Sequence, residues 1–202
     1  MNKERTRRKI LQAALWIFSN KGFYRATTKE ISDKAGIAEG TLFNYFKTKE
    51  DLALYFFEQE IAGLIEWFSG QPRLRKADLA EKLFAIIHRH LEQIGPHEEF
   101  IGAVYLRALQ PVSKLSPLSL ESQELNLRYL RFIREILAEA EATKEIPVVG
   151  DIGAYVFGIF HIAMISYWLH DTSTSKENTL ALLDRSLRVA KAVLKNEGAW
   201  EW

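Results

Sequence analysis

The 202-residue sequence contains no cysteine, which removes disulfide scaffolds, thiolate metal sites, thiol nucleophiles and redox motifs together. Glycine and proline are scarce, at eleven and five, and this excludes collagen-like repeats and argues against Gly-punctuated all-β folds. Neither sign of charge dominates, with 27 Lys and Arg against 26 Asp and Glu and a net charge of +1. What is present is apolar material: 48% of residues are hydrophobic and 12% aromatic, so the chain can bury a core and is not of disordered composition. The opening Met1-Asn2-Lys3-Glu4-Arg5 runs into a charged amphipathic segment without the apolar stretch of a secretory signal, and a cytoplasmic protein of one or at most two domains is expected.

The balanced total hides an asymmetry. Residues 1–50 hold eleven Lys and Arg against five Asp and Glu, whereas residues 51–202 hold sixteen against twenty-one. A basic head on a mildly acidic body is the pattern of a polyanion-binding module joined to a regulatory or oligomerising one, the alternative being a solvated basic face.

Apolar spacing predicts an all-α fold of about nine helices. Ile10, Ala13, Ala14, Ile17 and Phe18 mark the first, which stops at Asn20-Lys21-Gly22. Thr27-Thr28-Lys29-Glu30 reads as a capping box opening a short second helix that turns Ile31 and Ala35 inward. That helix must end near Gly36. A third runs from about Ala38 to Tyr45 with Ile37, Leu42 and Phe46 on its apolar side, so the pair has the size of a helix-turn-helix. Thr48-Lys49-Glu50-Asp51 caps a long fourth helix reaching about Phe68, and Gly70-Gln71-Pro72 breaks it. Leu79, Leu83, Ile86, Ile87, Leu91 and Ile94 define a fifth, and a sixth runs from about Glu98 to Gln110. After a loop from Pro111 to Ser119, a seventh carries Leu125, Tyr129, Phe132, Ile133, Ile136, Leu137 and Ala140; the eighth spans Asp151 to His170 and the ninth Lys176 to Lys195.

Residues 152–170 contain no Asp, Glu, Lys or Arg, a length that meets the test for a membrane span. His161, His170, Ser166, Tyr155, Tyr167 and two glycines within it, and the lack of a polybasic flank, argue against a membrane. Such a helix also suits the inside of a protein or a subunit boundary. Paired with the Leu180, Leu183, Leu187, Ala190 and Leu194 stripe of the ninth helix, it can build a four-helix interface with a second copy, so a homodimer through helices near 151–170 and 176–195 is expected.

The run from Gly36 to Leu52, Gly-Ile-Ala-Glu-Gly-Thr-Leu-Phe-Asn-Tyr-Phe-Lys-Thr-Lys-Glu-Asp-Leu, together with Ile10-Leu11-Gln12-Ala13-Ala14, Gly22-Phe23 and Thr27-Thr28-Lys29-Glu30-Ile31, resembles the signature of the TetR (tetracycline-repressor-like) family of transcriptional regulators. The match spans roughly residues 5–55. The resemblance implies a helix-turn-helix DNA-binding domain over residues 1–47 and a helical effector-binding and dimerisation domain over 48–202. It further implies a homodimer reading a pseudo-palindromic operator, usually as a repressor. An architectural or cell-division DNA binder of the same fold is the alternative. Three positions depart from the pattern. Phe43 stands where many members carry Tyr and is read as core packing; Ala38 replaces a capping Ser, a loss of about 1 kcal/mol; and Glu39 either complements the helix dipole or accepts from cytosine.

Carried over position by position, the family's DNA contacts fall on Thr28, Lys29, Glu39, Gly40, Thr41, Phe43, Asn44, Tyr45 and Lys49. Thr41 and Tyr45 carry hydroxyls for phosphate, Lys49 a charge for it, and Asn44 and Lys29 the groups suited to base edges. An apolar small-molecule effector is expected in the C-terminal domain, with Trp67, His88, Phe100, Tyr105, Tyr129, His161 and Met164 as candidate lining. Catalysis, cofactors and metals are not expected. His97-Glu98-Glu99-Phe100-Ile101 lacks the second His of a zinc-protease helix. His88 and His90 project about 200° apart on a helix and His161 and His170 about 180° apart, so neither pair converges. The closing Trp200-Glu201-Trp202 suggests packing at a dimer edge.

Overall fold

The computed structural model describes residues 3–108, 110–117 and 119–195; the Trp200-Glu201-Trp202 end lies outside them. Among the described residues there are nine α-helices and no strand. They are α1 (Lys3–Lys21), α2 (Thr28–Ala35), α3 (Glu39–Phe43), α4 (Lys49–Ser69), α5 (Leu79–Ile94), α6 (Glu98–Ala108), α7 (Leu120–Ala142), α8 (Gly150–His170) and α9 (Glu177–Lys195). The helix most altered from expectation is α3, five residues long. After Phe43 the amides of Tyr45 and Phe46 both reach the Leu42 carbonyl at 2.9 Å, which winds the chain into a tight turn and carries Phe46 inward.

Contacts group the chain into two compact units, Met1–Ile61 with Ile94–Asn126 and Ala62–Gln93 with Leu127–Trp202. In the first unit α6 packs on α1 through aromatic rings: Phe18 stacks on Phe100 at 5.1 Å, Phe56 meets Phe100 edge-on at 5.3 Å, and Phe23 lies 5.9 Å from it. Ile10, Ala14, Ile31, Leu42 and Leu52 complete that core, each fully buried. Each large side chain so buried stabilises by about 1.5–3 kcal/mol.

Both expected capping boxes are present. Thr27 accepts from the Glu30 amide at 3.2 Å while Glu30 accepts from the Thr27 amide at 3.1 Å, and Thr48 and Asp51 exchange the same pair of bonds at 3.1 and 2.9 Å. The first turn of α4 is further tied to α6 and the loop after it: Glu50 accepts from Arg107 at 2.6 Å and from the Lys114 amide at 3.0 Å, and Asp51 accepts from Lys114 Nζ at 2.7 Å.

In the second unit α5, α7, α8 and α9 contribute Ile86, Ile87, Ile133, Ile136, Phe157, Met164, Trp168 and Leu183 to the core. Glu145 accepts from the Leu79 amide at 2.9 Å and pairs with Lys191 at 3.1 Å, fastening the start of α5. Asp171 takes the amide and hydroxyl of Thr179 at 2.8 and 2.6 Å, capping α9. The eighth helix, expected at a subunit boundary, is buried within this chain along Ala154, Phe157, His161, Met164 and Trp168. Ile152, Tyr155, Val156, Ile159, Ile162 and Tyr167 are exposed. By length and composition α8 could cross a membrane; His161, bonded to α5 and α7, ties it into the bundle.

Candidate nucleic-acid interface and effector core

Gly36 ends α2 in the left-handed region, φ 60° and ψ 44°, a conformation a side chain would strain. Its amide bonds to the Asp33 carbonyl at 3.0 Å and that of Ile37 to the Ser32 carbonyl at 3.1 Å, so the chain reverses sharply into α3. Ala38 enters α3 in an extended conformation with no side-chain cap, as its missing hydroxyl implies. Thr28 Oγ1 instead donates to Glu39 Oε1 at 2.8 Å. This bond fastens the start of α2 to the start of α3, so the Glu39 carboxylate is already engaged within the motif.

Lys29, Gly40, Phe43 and Asn44 are exposed on this unit, and Thr28, Glu39, Thr41 and Tyr45 are half-buried. The reading of Phe43 as core packing is corrected: 43% of it is exposed. Leu42 and Phe46 take the buried side, and the 100° step from residue 42 to 43 turns the ring outward. Cationic side chains that the motif does not predict surround it. Arg5, Arg8 and Lys9 are exposed along α1, and Lys9 Nζ lies 3.6 Å from where a β-carbon on Gly36 would stand. Lys34 sits over the Trp16 ring at 3.6 Å, and Arg7 lies over Tyr55 at 4.5 Å and Phe46 at 5.5 Å.

Lys49 is engaged within the protein. The sequence assigns its charge to phosphate, but Nζ donates to the carbonyls of Phe23, Tyr24 and Ala26 at 2.7, 3.0 and 2.9 Å. All three donors of the ammonium are used in holding the α1–α2 loop, and burial lowers its pKa. Lys49→Ala should therefore lose about 2 kcal/mol of stability in a denaturant titration, because three loop carbonyls lose their partner. Its affinity for DNA should fall on every sequence while the slope against log salt stays unchanged; a lost phosphate contact would reduce that slope by about 0.9.

The candidate effector residues separate. Phe100 and Tyr105 belong to the first unit, and Phe100 is core there, 1% exposed. Trp67, His88, Tyr129, His161 and Met164 belong to the second. Arg89 faces the Trp67 ring at 5.7 Å, and His88 stacks on Phe84 at 5.8 Å. Tyr129 and His161 are joined by a hydrogen bond, the phenol bonding to His161 Nδ1. His161 Nε2 lies 3.0 Å from His90 Nδ1, so three helices contribute one residue each to a polar chain whose two histidines are buried. Burial pushes His90 down to about 4 and Tyr129 well above its ordinary range. For His161, burial first and the His90 ring second push it well below the usual histidine value. His90 is absent from the candidates named above. Its place between Ile86, Ile87 and Leu91 on the apolar side of α5 was the available signal, while its partner 71 residues away was not.

Residues 10–56 match the model for bacterial regulatory proteins of the tetR family, and residues 82–201 match the model for the tetracyclin repressor-like C-terminal domain. The fatty acid metabolism regulator protein of Bacillus subtilis is 25% identical over 191 residues, covering 93% of this chain and 95% of that protein. Among solved structures, FadR from Bacillus subtilis in complex with stearoyl-CoA is similar with a TM-score of 0.69 at 23% identity, covering 90% of this chain and 95% of that one. Thermus thermophilus FadR in complex with lauroyl-CoA is similar with a TM-score of 0.69 at 22% identity, covering 91% and 92%. With a left-handed Gly36 between α2 and α3, a basic amino-terminal segment, and family models over both parts of its length, this chain belongs to the tetR family and is a DNA-binding transcriptional regulator.

Proposed function

We propose that the chain is a homodimeric repressor of genes of fatty acid metabolism, released from its operator by a long-chain acyl-CoA. The observation that carries this reading is the end-to-end similarity to the fatty acid metabolism regulator of Bacillus subtilis, supported by the two similar structures that hold stearoyl-CoA and lauroyl-CoA. Lys29 and Asn44 read base edges. Thr28, Gly40, Thr41, Phe43 and Tyr45 approach the backbone, Glu39 braces α3 from within, and Lys49 holds the loop behind it. The exposed apolar side of α8, with Leu182, Val189 and Val193 of α9, supplies the dimer surface. A twofold pair then addresses half-sites about one DNA turn apart, in the cytoplasm.

The test is to map the chromosomal sites that the protein occupies and to titrate the isolated operator. One or a few sites are expected; a large number of scattered sites would favour an architectural DNA binder. Stearoyl-CoA should weaken operator binding roughly 5- to 150-fold, and an operator complex indifferent to acyl-CoA would overturn the effector reading. Asn44→Ala should chiefly shrink the preference for operator over scrambled duplex, by roughly five- to 150-fold if it makes a bidentate base contact.

A further inference from the structure

The polar chain inside the second unit ends on an atom without a partner. His90 is 4% exposed, and its Nε2 has no hydrogen-bond partner among the described residues. Two neighbours on the same helix share this condition, Arg89 Nε and Gln93 Oε1. At 100° per residue the three positions fall within about 100° of arc on α5. Buried polar atoms in a folded protein are paired as a rule, so a cluster of orphans points to a bound molecule that supplies the missing partners.

Counting protons fixes what His90 has to offer. A phenol that donates to His161 Nδ1 leaves the His161 proton on Nε2, where it donates to His90 Nδ1. The His90 proton then lies on Nε2, and that N–H is the single unmet group of the chain. In the reverse order Tyr129 accepts from His161, its own proton has no acceptor among the described residues, and His90 Nε2 is still unmet. The first order leaves one orphan and the second leaves two, so the first is favoured. His90 therefore presents a neutral, buried N–H donor, and apolar groups lie farther along the chain, with Phe157 6.3 Å from the His161 ring and Met164 buried on the same helix as His161. Such a site takes an oxygen acceptor carried by an apolar body.

We propose that the Tyr129–His161–His90 chain is the polar anchor of the effector site, with His90 Nε2–H donating to the carbonyl oxygen at the head of a fatty acyl chain. The assignment rests on the acyl-CoA reading above and adds the group that recognises the acyl carbonyl. Because Nε2 is sealed from water, a ligand reaches it only as packed side chains part, which couples binding to a change of conformation in this core.

Calorimetric titration of the full chain with stearoyl-CoA, stearate and CoA alone tests this, on the wild type, His90→Leu and His90→Gln. Stearoyl-CoA is expected to bind the wild type, to bind His90→Leu about tenfold to a hundredfold more weakly, and to recover most of the loss in His90→Gln. The Gln carbonyl can accept from His161 while its amide donates to the ligand. Equal affinity of wild type and His90→Leu overturns the anchor and leaves the acyl-CoA reading standing. No binding to the wild type overturns that reading and the anchor with it. Stearate bound more tightly than stearoyl-CoA, with loss in His90→Leu, makes the free acid the source of the acyl group and upholds the anchor. Nitrogen NMR of the histidine-labelled wild type is independent of how the variants fold. The His90 Nε2 resonance should shift as stearoyl-CoA saturates the protein, and an unmoved resonance at saturation overturns the assignment.

Discussion

Phe100→Ala is expected to cost about 3–5 kcal/mol of stability. The ring is 1% exposed and touches three others, stacking on Phe18 and meeting Phe56 and Phe23 at an angle. Removing it deletes apolar burial and leaves a cavity whose walls are held on three sides by α1, the loop after it and α4, so collapse into the space is restricted. A domain is stable by only about 5–15 kcal/mol in total, and this single change consumes a large share of it. The denaturant midpoint should fall with the slope preserved. The same variant separates core from pocket: at a temperature where it remains folded, its affinity for stearoyl-CoA should equal that of the wild type. A loss of stability below about 1 kcal/mol would mean that the four rings do not pack as a unit.

The placing of Phe100 among effector candidates shows where sequence patterning stops. An aromatic residue on an amphipathic helix suits a core or a pocket equally, and only the partner rings, which are distant in sequence, decide. The helices themselves were legible because apolar spacing and caps are local. Ile31 and Ala35 face inward from a helix opened by the Thr27–Glu30 box, and the turn at Gly36 is fixed by its left-handed backbone. The exposed stripe of α8 was hidden for the opposite reason. Its residues are apolar nearly all round, so no periodicity marks which side is buried, and the second unit selects Ala154, Phe157, His161, Met164 and Trp168. Lys49 escaped because its partners are backbone carbonyls, which carry no signature in a sequence. The resemblance located the helix-turn-helix, but it could not tell a lysine that binds phosphate from one that closes a loop 23 to 26 residues away.

The buried histidines make the fold sensitive to mild acid. Burial holds His90 near 4, against about 6.5 for histidine in an unfolded chain. Between these values the unfolded state binds a proton that the folded state refuses, so acid favours unfolding. The contribution is fully present above about pH 6.5 and is lost as pH falls toward 4, amounting to about 3 kcal/mol from His90 alone. His161 acts in the same direction, through burial and then the His90 ring, while burial keeps Tyr129 protonated throughout. Carboxylates add their losses lower on the scale. Asp78, held below its usual range by the hydrogen bond from Lys191, titrates beneath the ordinary carboxylate value of about 3.9, so the two windows separate. Denaturant midpoints taken at intervals from pH 7 down to pH 4 should therefore decline in the wild type well before the carboxylates protonate. His90→Gln retains an acceptor for His161 but does not titrate, and its decline over the same interval should be distinctly shallower. Parallel curves for the two proteins would place the acid sensitivity elsewhere in the chain.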